Sequence, residues 1–164
     1  MKSLFIVRHA KAEREGVNLK DFDRALDDSG KMDAAAMAIR ILKEIQNPDL
    51  FLSSSAKRAL QTAEIFADIF KITRQNIRKE KEIYDAFDAR DMINLIKSLP
   101  DNINTVFLFG HNPAVSSLAN YCTYMPLHDL PTAGIARIEA DINTWSEFDK
   151  KNATWTNLWV PKNF

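Results

Sequence analysis

"TVFLFGHNPAVSSLANYC", residues 105–122, passes from an unbroken apolar run through a polar turn into apolar residues at helical spacing. An apolar run without alternation marks a strand covered on both faces. Gly110 and His111 fall in the turn, Asn112 at an N-cap position and Pro113 at the first helical position, where its missing N–H costs nothing. A covered strand that feeds a helix is the unit of a parallel α/β sheet, and the chain repeats it. "SLFIV" (3–7) and "LFLSS" (50–54) are further strands. From Asp28 a helix is expected to carry an apolar stripe of Met32, Ala35, Ala36, Ile39 and Leu42 and to end near "NPD". Ser54 or Ser55 can cap the next helix, which turns Leu60, Ala63, Phe66, Ala67 and Phe70 inward. "DARD" opens a third, with Asp88 as N-cap, Asp91 in the first turn and Met92, Leu95, Ile96 and Leu99 inward. "IARIEADI" and "TWTNLWV" read as closing strands joined by the polar loop "INTWSEFDKKNATW". The expected fold is a three-layer α/β/α sandwich with a mostly parallel central sheet. No repeat or linker divides residues 1–164, so one domain is expected.

Composition excludes several classes of function. Hydrophobic residues make up 46% of 164, enough for one sizeable core. Lys plus Arg equal Asp plus Glu at 22 each, so there is no general attraction to nucleic acid or an anionic membrane, and neither is an expected partner. An anion must be held locally. The single cysteine, Cys122, rules out an internal disulfide and a Cys-based zinc site, and suits a reducing cytoplasm. No apolar stretch approaches the length of a membrane span, and Leu4–Val7 is too short for a signal-peptide core.

In an open α/β sheet the ligand site lies beyond the carboxyl ends of the strands. Arg8 and His9 end the first strand, "SSSAKR" follows the second, and His111 follows "TVFLF". Parallel strands would bring these ends to one rim. Arg8 and Arg58 present planar donor forks that match phosphate oxygens. His9, as a neutral imidazole, can attack phosphorus. His111 can donate to the equatorial oxygens, and the helix starting at Asn112 and Pro113 favours the same anion. Phosphoryl transfer of this kind rests on positioning and electrostatics, so neither metal nor cofactor is required. His128, in a Pro-flanked loop, reads as structural.

"VRHAKAE", "LSSSAKRALQTAE" and "LFGHNPAVS" resemble, in the same chain order, the signature blocks of the histidine phosphatase (phosphoglycerate mutase-like) superfamily. "DFDRALDDSG" and "LPTAGIARIE" are similar to its short branch, the SixA-type phosphohistidine phosphatases. The resemblance implies a metal-independent phosphatase in which His9 accepts the phosphoryl group and Arg8, Arg58 and His111 complete the pocket. It also implies a role for Arg24 near the pocket mouth; the alternative is a surface pair with Asp21 or Asp23. Gln61 and Thr62 fit the pattern as supports. Two positions depart from the family. Ala10 replaces the usual glycine, which would strain the chain if that position needs positive φ. The general acid of larger members has only Glu82 or Asp85 as counterparts by position, in what otherwise reads as a solvated charge run. Phosphohistidine, with a nitrogen leaving group, tolerates a missing acid. Only residues 71–90 could cover the pocket, so an open site would admit a phosphorylated side chain of a partner protein. A small phosphorylated metabolite is the alternative substrate, and a non-catalytic phosphate-binding module is the alternative from another class. The sequence does not set the oligomeric state.

Overall fold

Alternate residues of the central strands enter two separate cores, as burial on both faces requires. In the computed structural model, which describes residues 1–16, 18–124 and 129–162, six strands form one sheet. They are β1 (Lys2–Arg8), β2 (Leu50–Ser54), β3 (Arg78–Glu80), β4 (Thr105–Gly110), β5 (Ile135–Ala140) and β6 (Ala153–Trp159). Their spatial order is β3-β2-β4-β1-β5-β6. The first four in that order are mutually parallel, while β5 runs antiparallel to both β1 and β6.

Helices α1 (Asp28–Leu42) and α2 (Lys57–Phe70) cover one face. Phe5, Val7, Phe51, Phe107 and Phe109 meet them there, with Phe5 stacked on Phe107 at 4.5 Å. Each such ring, once buried, contributes roughly 1.5–3 kcal/mol. The other face presents Leu4, Ile6, Leu52, Val106 and Leu108 to the short helix α3 (Lys81–Asp85), α4 (Arg90–Lys97) and α5 (Ala114–Tyr121). This is the expected three-layer sandwich. Among the described residues, no helix is long and apolar enough to cross a membrane.

The stripe expected on α1 is corrected by about a third of a turn. Met32 and Ile39 are exposed, and the buried face is Gly30, Ala34, Met37, Ala38 and Ile41. Gly30 leads that face because a Cβ there would lie 2.0 Å from the carbonyl oxygen of Lys11. The helix is therefore rotated to put its one side-chain-free position against the Lys11 backbone, a cause that apolar spacing does not register.

Helix starts also shift by a residue or two. Ala56, not a serine, caps α2; Ser54 Oγ instead accepts the Ala56 N–H at 3.1 Å. Ala89 rather than Asp88 caps α4, with Asp88 Oδ1 accepting from Arg90 N. Pro113, reached through a cis Asn112–Pro113 bond, takes the cap of α5, so Asn112 lies one residue outside it. The loop between β5 and β6 is less polar in effect than in composition. Its Trp145 and Phe148 are fully buried, and Trp145 Nε1 donates to the Ile103 carbonyl at 2.7 Å.

Candidate active site

Strand register alone assembles the rim. Arg8 pairs with Gly110 across β1 and β4, and Ser53 pairs with Phe109 across β2 and β4. His9, Ser54 and His111 therefore leave the sheet side by side. The His9 and His111 rings lie 5.2 Å apart between centroids, both buried, with Arg58 buried beside them at the start of α2. Of the expected residues, Arg8, His9, Arg58 and His111 thus come together.

Each is held by its neighbours. His9 Nδ1 lies 2.7 Å from the carbonyl oxygen of Ala10. A carbonyl only accepts, so Nδ1 carries the proton and Nε2 keeps the lone pair of the neutral ring. Burial first, and then the cations Arg58, Arg8 and Arg24 against the pull of that carbonyl, push His9 down to about 4. His111 is pushed down to about 3 by burial and by the charges of His9 and Arg58. Both rings are accordingly neutral near pH 7. Arg8 Nη1 donates to the Leu130 carbonyl at 2.9 Å. Burial lowers its pKa, while Asp129 opposes the shift.

Arg58 is gripped by Asp21. Its Nη1 donates to the Asp21 carbonyl at 2.7 Å and its Nη2 to Asp21 Oδ2 at 3.1 Å. Tyr84 Oη donates to the same Oδ2 at 2.9 Å, and Arg24 Nη1 to Oδ1 at 2.9 Å. Burial alone would raise the Asp21 carboxyl, but the hydrogen bonds from Tyr84 and Arg24 and the Arg58 charge hold it at about 2. It is therefore an anion throughout the physiological range. Tyr84 also sets its ring edge-on to His111 at 5.7 Å.

Three buried nitrogens of this cluster have no hydrogen-bond partner among the described residues: Arg8 Nε, Arg58 Nε and His111 Nδ1. Leaving such donors unmet costs roughly 1–3 kcal/mol each, more for charged groups. A phosphoryl oxygen is one acceptor that can answer two guanidinium N–H groups and an imidazole together.

The remaining expectations resolve as follows. Arg24 pairs with Asp21 as well, the surface-pair alternative, while its Nε donates to the Glu13 carbonyl at 2.7 Å. Asn112 directs its amide to the Leu130 carbonyl, which also accepts from Arg8 Nη1, and its Oδ1 accepts from Ser116 Oγ. Glu82 is exposed on α3 and makes no hydrogen bond or ion pair with the four central residues. Thr62 Oγ1 accepts the Ala10 N–H at 3.1 Å, and Gln61 Oε1 accepts the Leu26 N–H at 2.8 Å, so both brace the loop after β1. Ala10 does not have positive φ, and its methyl is fully buried in the α1–α2 core. His128 lies outside the described residues.

Sequence reasoning missed three contributors. Asp21 appeared only as a surface partner of Arg24, although an acid three residues before that arginine was visible. Ser54, like Ser55, reads in the sequence only as a candidate helix cap. Tyr84 gave no signal, being one aromatic in a charged run that in fact folds as β3 and α3.

Residues 4–86 match the histidine phosphatase superfamily (branch 1). An uncharacterized chloroplastic protein of Arabidopsis thaliana is 30% identical over 155 residues, which span 89% of this chain and 70% of that protein. A candidate phosphohistidine phosphatase SixA of Agrobacterium tumefaciens superposes with a TM-score of 0.82 at 26% identity over 98% of both chains. The protein histidine phosphatase SixA complexed with tungstate gives 0.82 at 22% identity, again over 98% of both.

Proposed function

The chain belongs to the histidine phosphatase superfamily and is a phosphatase, and from that premise we propose that it dephosphorylates phosphohistidine in a protein through a phosphohistidine intermediate on His9. The observation that supports this reading is the set of three buried nitrogens without a partner among the described residues, Arg8 Nε, Arg58 Nε and His111 Nδ1, in the cluster that holds the neutral ring of His9. Arg8, Arg58 and His111 hold the phosphoryl oxygens while His9 Nε2 forms a bond to phosphorus and the substrate's nitrogen–phosphorus bond breaks. The departing imidazole takes its proton from solvent. Water then attacks the phosphorus on His9, giving inorganic phosphate and the neutral histidine. The guanidinium charges balance the phosphoryl group throughout, so the scheme calls for no metal.

The nature of the leaving group supports the protein phosphohistidine over a phosphoester. Among the described residues, the carboxylate hydrogen-bonded into the site is Asp21, which is held ionised by Arg24, Arg58 and Tyr84 and cannot serve as a proton donor near pH 7. An alkoxide needs such a donor more than an imidazole does. Phosphorylated proteins are thus the proposed partners, in a reducing compartment such as the cytoplasm. The test is release of phosphate, without added metal, from a phosphohistidine-bearing protein and from a simple alkyl phosphate. A kcat/KM higher on the former by at least about tenfold is expected; equal or reversed efficiencies would replace this substrate with a small phosphorylated metabolite.

A further inference from the structure

Ser54 ends β2 with its hydroxyl fully buried and 2.6 Å from His111 Nε2. Either atom of that pair could carry the proton, and the surroundings decide which does. Ser54 Oγ already accepts the Ala56 N–H at 3.1 Å. Its own proton has one acceptor among the described residues, His111 Nε2. If the imidazole donated instead, the serine proton would be stranded in the core, and the lone pair of Nδ1 would point at the phosphoryl oxygens. Both consequences are unfavourable. With the serine as donor, every group is matched and Nδ1 carries the hydrogen. Nδ1 is the buried nitrogen of His111 that has no partner among the described residues.

We infer that Ser54 is a positioning residue which, through its bond to Nε2, holds His111 in the Nδ1–H tautomer and so makes it a donor to the phosphoryl group. The inference rests on the phosphatase reading for the identity of that group, but the tautomer itself can be read without turnover. The chain of support is short: the Ala56 N–H at the start of α2 orients the serine, the serine orients the imidazole, and the imidazole meets the anion. The start of α2 thereby fixes both Arg58 and, through Ser54, the opposite side of the pocket.

The test is a two-bond proton–nitrogen correlation spectrum of the full chain with nitrogen-15-labelled histidine, assigned with His111→Gln. His111 should show a protonated Nδ1 and an unprotonated Nε2. Ser54→Ala should release the ring to a mixture or to the Nε2–H form and weaken inorganic phosphate binding about tenfold, the scale of one hydrogen bond to a charged group. Ser54→Thr, which keeps the hydroxyl, should keep the tautomer. A wild-type His111 in the Nε2–H form would overturn the inference, and that spectrum needs no variant of Ser54 to fold. An unchanged tautomer in Ser54→Ala would overturn it too. Absence of phosphatase turnover beside an Nδ1–H ring that responds to Ser54→Ala would defeat the phosphatase reading and leave the positioning role standing.

Discussion

Asp21 and Arg58 are joined twice, through the Asp21 carbonyl at 2.7 Å and its Oδ2 at 3.1 Å, so that each terminal nitrogen of the guanidinium is anchored while the buried Nε has no partner among the described residues. An internal acid thus does for Arg58 what the Leu130 carbonyl does for Arg8. Removing that acid leaves Arg58 with a single anchor. Asp21→Ala is expected to lower kcat/KM about tenfold or more, equivalent to one charge-assisted hydrogen bond of about 1.5–3 kcal/mol. Steady-state kinetics on a phosphohistidine protein checks this, and an unimpaired variant would show that Asp21 only decorates the rim.

The two histidines carry a pH signature. Their native pKa values, about 4 for His9 and about 3 for His111, lie below the ordinary histidine value of about 6.5. Between those limits the unfolded chain binds protons that the native chain does not, so stability rises with pH across this window and is lost on acidification. From about pH 7 to about pH 5 the loss should be on the order of 1–2 kcal/mol per histidine. Denaturant titrations at the two pH values measure it. His9→Gln combined with His111→Gln should flatten the dependence, and a double variant as acid-sensitive as wild type would refute the assignment.

Gly30 links α1 to the loop that carries His9. A methyl group there would meet the Lys11 carbonyl carbon at 2.9 Å as well as its oxygen at 2.0 Å, and both are backbone atoms that have little room to move. Gly30→Ala should therefore destabilise the fold by about 3 kcal/mol, the upper range for overpacking, despite alanine's better helix propensity. Thermal unfolding decides, and a variant more stable than wild type would mean that the helix can shift freely.

Ala10 invites the reverse substitution. Its backbone does not need a glycine, and its buried methyl belongs to the same core as Phe5, Leu26 and Ala34. Ala10→Gly should leave kcat within about twofold while costing about 1 kcal/mol in stability through lost burial and added chain entropy. A large gain in turnover would instead identify Ala10 as a brake on catalysis.

The parts of the fold legible in the sequence were those written in apolar runs. "SLFIV", "LFLSS" and "TVFLF" are strands because both faces are buried, and the polar residues that stop them mark the rim where Arg8, His9 and His111 meet. α1 was harder. It carries two competing apolar stripes, and the contact that selects one involves a glycine and a carbonyl, neither of which has a hydrophobic signature. Asp21 and Tyr84 reach the site from a single 3-10 turn and a short helix, 63 residues apart and joined by a hydrogen bond. Such a pairing exists only once the chain has folded, so no local pattern announces it. Trp145 was hidden for a related reason: polar neighbours mask a side chain that anchors its loop from inside the core.

The most direct test of the account is to trap the phosphoenzyme. After brief exposure to a phosphohistidine-bearing protein labelled with radioactive phosphate, the denatured chain should retain label that is stable in alkali, lost in acid and mapped to the peptide containing His9. His9→Ala should carry no label and release no phosphate. Turnover by wild type with label on another residue, or undiminished turnover by His9→Ala, would contradict the assignment of His9 as nucleophile and with it the mechanism built around that ring.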